Sequence, residues 1–470
     1  MKMYIAGSWT QGSETREVRN PFDGSIVDTV PAATTEEVER ALESAARGAR
    51  VMRDLPALKR YTILTQTARL LADRSEEFAQ VLTREMGKVI AESRGEVARA
   101  VETLTLSAEE AKRITGETLP LDAAPGGEGK FGFTVRIPCG VVLAITPFNF
   151  PLNLVAHKVG PAIAAGNSVI LKPASDTPLS ALKLTELLLE AGLPDEGIQC
   201  ITGSGGAVGN QLCADRRVRK ISFTGSRDVG EGITKTAGLK RVTMELGSNA
   251  PLIVMPDADI AKVAAVTAAT GYANAGQSCI STQRVLVNRA VYGDYIDAVS
   301  PLIGGITTGN PLDESVKMGP LIREREAARV AEWISEAVDG GARVVVGGGQ
   351  PSGGVHQATL VADVNPSLRI SRDEVFGPAV VVTEFDSLDE AIAMANSSPY
   401  GLSAGIFTEN IGAAMKFIRE MDSGNLMVNW APNWRADMMP YGGLKDSGLG
   451  KEGPRYAMAE MTEIKMIVFH

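Results

Sequence analysis

The chain has 470 residues, of which 56 are acidic and 47 are basic, so its formal net charge at neutral pH is −9. Such an acidic surface repels the phosphate backbone of nucleic acids, and a nucleic-acid partner is therefore not expected. Hydrophobic residues make up 44% and charged residues 22% of the chain, proportions typical of a folded globular protein. The length suggests about three structural units of roughly 150 residues each.

Cysteine and histidine usage excludes several further classes. The 4 cysteines form no CxxC pair and the 3 histidines form no HExxH motif, so neither a disulfide scaffold nor a metal site is expected. The N-terminal residues lack the apolar segment of a signal peptide. The most apolar stretch, residues 141–171, is interrupted by proline, asparagine, histidine and lysine, which argues against a membrane span. We expect a reduced, soluble, cytoplasmic protein with no membrane partner.

The first hundred residues are predicted to be helical. Thr34 and Glu37 have the spacing of a capping box, and apolar residues recur on one helical face behind them. Residues 60–88 and 95–115 continue this helical character. Residues 120–138 are first rich in glycine and proline and then apolar, which predicts an exposed loop followed by an extended arm.

From residue 140, short apolar segments alternate with helical ones, which predicts a doubly wound parallel sheet. The predicted strands of this first series are 141–145, 168–171, 198–202, 220–223 and 242–245, and its helices are 179–191 and 207–213. A second α/β series has predicted strands at 252–254, 283–287, 379–383 and 425–429 and helices at 260–273 and 324–338. Residues 463–469 are predicted to be extended. Two α/β lobes with extended arms fit the length.

Two residues are candidates for proton transfer and nucleophilic chemistry. Cys279, in Gly276-Gln-Ser-Cys279, lies between a predicted helix and a predicted strand, and an ionised thiol there would be a soft nucleophile. Taken alone, a buried structural cysteine is the simpler interpretation. Glu245 ends an apolar strand, where partial burial would raise its pKa and suit it to take a proton from water. The alternative is a solvated carboxylate at a turn.

Other candidates lie beside glycine and proline. Asn149, in Pro147-Phe-Asn-Phe-Pro151, carries an amide that could donate to a developing oxyanion, although a turn asparagine is the simpler interpretation. The segment 203–209 lacks the third glycine of a dinucleotide fingerprint in the correct register. Phe223-Thr-Gly-Ser226 predicts a strand, a turn and a helix whose N-terminus could bind a pyrophosphate. Lys172 ends another strand, where it is either a cofactor contact or an ordinary exposed lysine.

Taken together and in order, seven motifs closely resemble those of the NAD(P)-dependent aldehyde dehydrogenase superfamily. The resemblance runs from about Asn20 to the C-terminal strand. The motifs are Pro147-Phe-Asn-Phe-Pro151, Lys172-Pro-Ala174, Phe223-Thr-Gly-Ser226, Glu245-Leu-Gly247, Gly276-Gln-Ser-Cys279, Glu374-Val-Phe-Gly-Pro378 and the segment from Pro440 to Gly448.

The resemblance implies roles for the candidate residues. Cys279 would attack the aldehyde carbon, and the Asn149 amide and the Cys279 backbone N–H would hold the oxyanion. Hydride transfer to the nicotinamide would leave a thioester, which water activated by Glu245 would hydrolyse. Lys172 would contact the adenosine ribose, and Glu374 the nicotinamide ribose. The implied cofactor contacts are Thr146, Pro147, Lys172, Ser175, Gly205, Gly209, Phe223, Gly225, Ser226, Val229, Leu246, Glu374 and Phe376.

The implied fold is aldehyde dehydrogenase-like α/β, with two doubly wound lobes and a β oligomerisation arm. Residues 1–122 and 138–244 would form the cofactor-binding domain and residues 245–448 the catalytic domain. Residues 123–137 and 449–470 would form arms that add strands to the sheet of a partner subunit, so a homodimer or homotetramer is expected.

Cofactor and substrate preferences are less closely determined. Family members often carry a glutamate at the position of Ser175, where it repels a 2′-phosphate, so both NAD and NADP are expected to be accepted here. The expected substrate contacts are Arg99, Phe150, Ser278, Ile280 and Arg435. The arginines favour a short polar or anionic aldehyde, of semialdehyde, lactaldehyde or glyceraldehyde type. The alternative is that Arg435 only pairs with Asp437 or another local acid.

Two rival functions remain open at this level. A CoA-acylating dehydrogenase would pass the acyl group to a thiol instead of water, but such relatives commonly lack the glutamate that is present here as Glu245. A non-catalytic protein of the same fold would not need Cys279, Glu245 and Asn149 together.

Overall fold

The chain begins with four short strands, and the prediction of helix over this part is wrong. In the computed structural model, which describes residues 1–470, the strands are β1 (Met3–Ile5), β2 (Ser8–Thr10), β3 (Glu14–Arg19) and β4 (Ile26–Ala32). β1 pairs with β2, and β3 pairs with β4, both antiparallel. Gly7, Gly12 and Gly24 have φ values of 78°, 72° and 71°. This left-handed conformation interrupts a helix and suits the turns that join short strands.

Four helices follow and pack on the first large sheet. They are α1 (Thr35–Asp54), α2 (Ala57–Asp73), α3 (Ser75–Met86) and α4 (Ile90–Ala111). The capping box predicted at the start of α1 is present: the Glu37 N–H donates to the Thr34 hydroxyl at 3.2 Å, and the Thr34 N–H donates to the Glu37 carboxylate at 2.9 Å. Helix α4 leads to two strands of an arm, β5 (Thr118–Leu119) and β6 (Phe131–Pro138).

The first large sheet has a parallel centre, as predicted. Its parallel strands are β7 (Val141–Ile145), β8 (Ser168–Lys172), β9 (Ile198–Cys200), β10 (Val218–Thr224) and β11 (Arg241–Glu245). Its helices are α5 (Asn153–Ala164), α6 (Leu179–Glu190), α7 (Asn210–Ala214) and α8 (Arg227–Ala237). The strand order is β2-β1-β9-β8-β7-β10-β11, followed by a late strand introduced below. Because β7 to β11 run in one direction, the residues that end them lie along one edge of the sheet.

The second large sheet is also mainly parallel. Its strands, in chain order, are β12 (Pro251–Val254), β13 (Arg284–Asn288), β14 (Arg343–Val346), β15 (Thr359–Ala362), β16 (Ala379–Phe385), β18 (Ser403–Phe407) and β19 (Asn425–Val428), with a separate short strand β17 (Tyr400–Gly401). The order is β14-β15-β16-β13-β12-β18-β19, and only β14 is antiparallel to its neighbour. The helices are α9 (Ile260–Gly271), α10 (Tyr292–Gly304), α11 (Glu324–Asp339), α12 (Arg369–Arg372), α13 (Leu388–Asn396) and α14 (Ile411–Glu420). No helix in the chain combines the length and apolar character that crossing a membrane requires.

The C-terminal segment returns to the first sheet and then completes the arm. It contains β20 (Leu444–Lys445), β21 (Gly448–Leu449), α15 (Pro454–Glu460) and β22 (Thr462–Phe469). β20 pairs with β17, and β21 pairs antiparallel with β11 at the edge of the first sheet. β22 pairs antiparallel with β6 over its whole length, and β5 flanks β6 on its other side. The extended conformation predicted at 463–469 is confirmed.

Both faces of the first sheet are covered by helices, so its central strands are apolar at every position. In β7, Val142 and Ala144 belong to one apolar cluster, while Val141 and Leu143 belong to the cluster on the opposite face. This alternation follows from the two-residue repeat of a strand. It explains why continuous apolar runs located these strands in the sequence.

Buried carboxylates on α3 and α4 fix the segments that follow the strands of the first sheet. Glu85 accepts from the N–H groups of Leu179 and Ser180, at the start of α6, at 2.7 and 3.1 Å. Glu96 accepts from the N–H groups of Leu152 and Asn153, at the start of α5, at 2.9 and 3.1 Å. The carboxylates therefore satisfy helix N-termini that lack side-chain caps of their own.

Glu96 also pairs with a buried lysine. The Lys88 ammonium contacts the Glu96 carboxylate, and both side chains are 1% exposed. The ammonium also lies 3.8 Å from the centre of the Phe150 ring. This pair thus holds the segment that directly follows the predicted Asn149 site.

Replacing Glu96 by glutamine should strongly destabilise the protein, because it removes the carboxylate that hydrogen-bonds to the buried Lys88 ammonium. We expect the free energy of unfolding to fall by about 3–5 kcal/mol, measured by chemical denaturation followed by tryptophan fluorescence. The control is Glu76→Gln, whose exposed partner Arg94 remains in water, and which should change stability little. Equal effects of the two substitutions would contradict the interpretation.

Candidate active site

A cavity of 670 Å³ lies between the two large sheets, at the edge where the parallel strands of the first sheet end. It brings together residues that are far apart in sequence, including Asn149, Glu245 and Cys279. The other predicted site residues that line it are Arg99, Thr146, Pro147, Phe150, Phe223, Gly225, Ser226, Val229, Leu246, Ser278, Ile280, Glu374, Phe376 and Arg435. Lys172, Ser175, Gly205 and Gly209 are not among the lining residues.

The loop before Cys279 has an unusual backbone. Asn274, Ala275 and Gly276 have φ values of 53°, 54° and 70°, so three consecutive residues are left-handed. Each non-glycine residue in this conformation costs about 1–2 kcal/mol. A Cβ atom at Gly276 would lie 2.1 Å from the Gly377 carbonyl oxygen, so this position requires glycine.

Hydrogen bonds hold this strained loop against the first lobe. The Asn274 N–H donates to both carboxylate oxygens of Glu92, on α4, at 3.0 and 3.1 Å. The Asn274 side-chain amide donates to the Asn149 carbonyl at 3.1 Å. The loop is therefore tied to both α4 and the segment after β7, and this positions Cys279 against the first lobe.

Asn149 lies directly beside the cysteine loop. Its side-chain amide donates one hydrogen bond to the Gln277 carbonyl at 2.9 Å, which fixes the orientation of the side chain. An amide nitrogen has two hydrogens, and the second has no acceptor within the protein. Asn149 is 4% exposed and lines the cavity. This arrangement suits a donor to an oxygen atom placed beside Cys279.

The Cys279 thiol is half-buried and is in contact with a tyrosine. Its sulfur lies 3.2 Å from the hydroxyl of Tyr441. Burial raises the pKa of the Cys279 thiol to about 12, the Tyr441 hydrogen bond opposes this rise, and Glu374 and Glu245 add to it. The thiol is therefore protonated at neutral pH and needs a proton acceptor before it can act as a nucleophile.

Glu245 ends β11 with its carboxylate buried in the cavity, so the alternative of a solvated turn residue is wrong. It is 3% exposed, and neither of its carboxylate oxygens has a hydrogen-bond partner. Burial raises the pKa of Glu245 well above its usual value, and Glu452 adds to this rise, whereas Arg435 and Lys158 oppose it. A carboxylate with free lone pairs and a raised pKa is suited to accept a proton.

One side of the cavity has the features of a phosphate site. The hydroxyls of Thr146 and Thr224 are buried without a hydrogen-bond partner, and both residues line the cavity. Helix α8 begins shortly after Thr224, and its N-cap residue Ser226 makes no side-chain cap. Free hydroxyls and free N–H groups at a helix N-terminus fit the pyrophosphate of a dinucleotide.

Glu374 faces the cavity from the second lobe. Its carboxylate accepts from the Ser248 N–H at 2.8 Å, and burial raises the pKa of Glu374 to about 7. A Cβ atom at Gly247 would lie 2.5 Å from a Glu374 carboxylate oxygen, so a side chain at position 247 would displace this carboxylate. Phe376 follows in a left-handed conformation and packs edge-on against Phe148, with ring centres 5.8 Å apart.

The four predicted cofactor residues outside the cavity form a group of their own. Lys172 is 3% exposed, so the alternative of an ordinary exposed lysine is wrong, and burial lowers its pKa to about 8. Ser175 donates to the Gly203 carbonyl at 3.0 Å. Gly205–Gly209 form a π-helical turn, and a Cβ atom at Gly209 would contact the Lys172 side chain at 3.9 Å. The segment 203–209 therefore lies against both the buried lysine and the Ser175 hydroxyl.

Two arginines line the opposite end of the cavity, and each is paired with a different acid. Arg99 donates to both carboxylate oxygens of Asp437 at 3.0 and 2.7 Å. Arg435 pairs with Glu452 at 3.2 Å, so its partner is a local acid other than Asp437. The Arg435 Nε atom is buried and has no partner. Arg435 therefore keeps one N–H group that is not used in its pairing with Glu452.

Comparison with known proteins supports the interpretation of this site. Residues 9–467 match the model of the aldehyde dehydrogenase family. The chain belongs to this family. It is 47% identical, over 468 residues, to the 3-sulfolactaldehyde dehydrogenase of Priestia aryabhattai, covering 100% of this chain and 98% of the relative.

Two solved structures extend the comparison. Aldehyde dehydrogenase 21 from Physcomitrella patens, in complex with the reaction product succinate, superposes with a TM-score of 0.95 at 36% identity, covering 100% of this chain and 98% of the other. Glyceraldehyde-3-phosphate dehydrogenase from Methanocaldococcus jannaschii, complexed with NADP, superposes with a TM-score of 0.94 at 36% identity, covering 97% and 99%. The predicted family, fold class and NAD(P)-dependent oxidoreductase activity of this aldehyde dehydrogenase are confirmed, which leaves no place for the non-catalytic alternative.

Several residues of the aldehyde dehydrogenase site escaped the sequence analysis. Tyr441 lies within the segment from Pro440 to Gly448, and only the structure shows that its hydroxyl reaches the Cys279 sulfur. Glu92, His157 and Glu452 lie in no motif that marks them as site residues. Nowhere in the structure are three or more His, Cys, Asp or Glu side chains grouped so that they could hold a metal ion.

Proposed function

We propose that this aldehyde dehydrogenase oxidises a short anionic aldehyde to its carboxylic acid with NAD(P)+, with Cys279 as the nucleophile. Aldehydes of the 3-sulfolactaldehyde or semialdehyde type are the first candidates, and lactaldehyde and glyceraldehyde derivatives are the next. The observation that carries the proposal is that Arg99 and Arg435 line the same cavity as Cys279. The 47% identity to a 3-sulfolactaldehyde dehydrogenase supports it.

The first chemical step joins Cys279 to the aldehyde. The thiol proton passes to a base, for which the unpartnered Glu245 carboxylate is the candidate within the cavity, and the sulfur attacks the carbonyl carbon. The negative charge moves to the former carbonyl oxygen. The free amide hydrogen of Asn149 and the Cys279 backbone N–H stabilise it there.

The alkoxide then re-forms its C=O bond and expels a hydride from carbon, which leaves a thioester on Cys279. When NAD(P)+ is bound, its nicotinamide supplies the acceptor for this hydride. We assign Thr146, Thr224 and the N-terminus of α8 to its pyrophosphate and Glu374 to its nicotinamide ribose. Lys172 and Ser175 would face the adenosine ribose.

Glu245 completes the reaction with water. After the proton taken from the thiol has passed to solvent, the Glu245 carboxylate takes a proton from water while the oxygen attacks the thioester carbon, and the Cys279 thiolate leaves as the carboxylic acid forms. A pKa raised by burial makes Glu245 a stronger base for this step than an exposed glutamate. The presence of this base favours water over coenzyme A as the acyl acceptor.

The charge balance around Arg435 supports an anionic substrate. Arg99, Arg435 and Lys158 are cations, and they share two carboxylates, Asp437 and Glu452. His157 contacts both Asp437 and Arg435, and burial lowers its pKa to about 4, so it is neutral near pH 7. Glu245 also faces Arg435, and Lys451 in turn faces Glu245. With this second pair included the cations still outnumber the carboxylates by one, which matches one carboxylate or sulfonate on the substrate.

We also propose that the chain forms a homodimer or homotetramer through its arm. β22 exposes apolar side chains, with Ile464 61% exposed and Phe469 58% exposed, and Phe131 on β6 is 55% exposed. β19 lies at the open edge of the second sheet, where a strand of a partner could pair.

We propose that residues 1–122 and 138–244 form the cofactor-binding domain, residues 245–448 the catalytic domain, and residues 123–137 and 449–470 the arms used in assembly. The four unpaired cysteines favour a cytoplasmic location.

The role of Glu245 can be tested by separating the two halves of the reaction. In Glu245→Gln we expect a slowed burst of reduced nicotinamide and steady turnover slowed about 100-fold or more, because the variant lacks the base for thiol deprotonation and for hydrolysis. Rapid-mixing absorbance of the reduced nicotinamide measures both phases. Cys279→Ser should show neither phase. Steady turnover of Glu245→Gln at the wild-type rate, or a requirement of the wild type for coenzyme A, would contradict the mechanism.

The substrate class can be tested at Arg435 with a matched pair of aldehydes. Arg435→Met should lower kcat/KM for 3-sulfolactaldehyde about 10- to 100-fold more than for uncharged lactaldehyde, because a charge-assisted hydrogen bond to the anion is lost. Arg94→Met is the control, since Arg94 lies on the same helix as Arg99 but pairs with the exposed Glu76 and Glu314. Equal losses for both aldehydes would refute the anion site.

Cofactor choice can be tested at Ser175. The wild type should use both NAD+ and NADP+. In Ser175→Glu, the new carboxylate should repel the 2′-phosphate and lower kcat/KM for NADP+ about tenfold or more, while kcat/KM for NAD+ serves as the internal control. An equal change for both cofactors would place Ser175 away from the adenosine ribose.

A further inference from the structure

Tyr441 has an unusual position for a residue without an assigned role. Its hydroxyl lies 3.2 Å from the Cys279 sulfur, and the sulfur is the only hydrogen-bond partner of this hydroxyl in the structure. The residue is 3% exposed and lines the same cavity as Cys279. A buried phenol normally finds an oxygen or nitrogen partner, so its contact with the nucleophile needs an explanation.

The ring is held in place on two sides. The backbone of Tyr441 exchanges two hydrogen bonds with that of Glu452, at 3.2 and 2.7 Å. The Arg435 guanidinium lies 4.0 Å from the centre of the ring, and the Glu452 carboxylate in turn accepts from Arg435 at 3.2 Å. Tyr441, Arg435 and Glu452 thus form a closed set of contacts that directs the hydroxyl at the sulfur.

The direction of the hydrogen bond depends on the charge of the sulfur. With a neutral thiol, either the sulfur or the oxygen can donate. A thiolate has no hydrogen, so only the phenol can then donate. Burial raises the pKa of Tyr441 well above its usual value, which keeps the donor hydrogen on the oxygen. A fixed donor therefore favours the ionised sulfur over the neutral one.

The other charged groups that face the sulfur have opposing effects. Glu245 and Glu374 disfavour a negative charge on Cys279, and Arg435 favours it. The same Arg435 and Glu245 face Tyr441. Tyr441 is the only one of these groups that hydrogen-bonds to the sulfur itself.

We propose that Tyr441 is a further catalytic residue, whose hydroxyl donates a hydrogen bond to the Cys279 thiolate when the sulfur attacks the aldehyde and again when it leaves the thioester. No bond to Tyr441 forms or breaks, and its proton stays on the phenol oxygen. Arg435 is a positioning residue for this role, through its contact with the ring. The inference rests on the proposed role of Cys279 as the nucleophile.

The test uses a reagent that needs neither substrate nor cofactor. The rate at which iodoacetamide alkylates Cys279 is measured as a function of pH in the full-length enzyme, and the Cys279→Ser protein provides the background from the other cysteines. In Tyr441→Phe the ring remains and only the hydroxyl is lost. We expect the alkylation rate in Tyr441→Phe to fall about tenfold at each pH from 7 to 9, which is the effect of raising the thiol pKa by about one unit.

The matched control is Tyr292→Phe, which removes a hydroxyl that donates to Asp363 at 2.8 Å, on α10 and away from the cavity. Its alkylation profile should coincide with that of the wild type. Single-turnover rates of thioester formation and hydrolysis should both fall in Tyr441→Phe. An unchanged alkylation profile in Tyr441→Phe, even with lowered thermal stability, would overturn the proposal. Full activity of Cys279→Ser would instead refute the proposed function, so the two failures are distinguishable.

Discussion

The whole site depends on a strained turn, in which three consecutive left-handed residues precede Cys279. Such a turn persists only where its surroundings supply enough interactions to offset the strain. Here Glu92 accepts from the backbone of Asn274, and Asn274 in turn donates to the backbone of Asn149. The nucleophile and the oxyanion donor are therefore positioned by the same set of hydrogen bonds, although more than a hundred residues separate them. The strain energy of the turn is therefore the free-energy cost of holding Cys279 and Asn149 in fixed positions relative to each other.

Helix α4 provides both anchors of this arrangement. Glu92 holds the Cys279 loop, and one turn later Glu96 holds the start of α5, just after Asn149. Residues four apart lie on one face of a helix, so a single rigid element sets the distance between the two loops. A helix near the N-terminus, which also contributes Arg99 to the cavity, thus positions two loops of a site built from both lobes.

The sequence predicts the individual strands and helices of this protein better than it predicts how they pack together. The continuous apolar runs of β7, β8 and β10 are unambiguous because a parallel sheet covered on both faces needs apolar residues at every position. The first thirty-two residues carry no such pattern, and their short strands depend on turns at Gly7, Gly12 and Gly24, which a search for helical periodicity overlooks. Helix α10 was also not predicted from the sequence. It contains Pro301, and proline normally ends a helix.

The residues of the site likewise fall into those that the sequence could identify and those that only the fold reveals. Cys279, Glu245 and Asn149 could be proposed because each belongs to a motif that contains glycine or proline. Gly276 shows why the backbone needs such a residue, since a Cβ atom there would lie 2.1 Å from the Gly377 carbonyl oxygen. Glu92 and Glu452 could not be proposed, because their partners are distant in sequence and an acid on an amphipathic helix or in a loop is ordinarily solvated. The pairing of Arg435 with Glu452, not Asp437, likewise follows only from the fold.

Arg435 takes part both in the proposed binding of the substrate anion and in the stabilisation of the Cys279 thiolate. Its side chain lines the substrate cavity, its guanidinium pairs with Glu452 and lies against the Tyr441 ring, and its buried Nε atom has no partner. A substrate anion bound there would cancel part of the positive field that Arg435 exerts at the Cys279 sulfur. Coulombic support for the thiolate would then weaken at the moment when substrate is present, because one cation cannot fully serve two anions. A hydrogen bond from Tyr441 suffers no such competition, since it acts over a single contact and its donor carries no net charge. An aldehyde dehydrogenase for anionic substrates therefore gains from a neutral donor at the sulfur more than one for neutral substrates does.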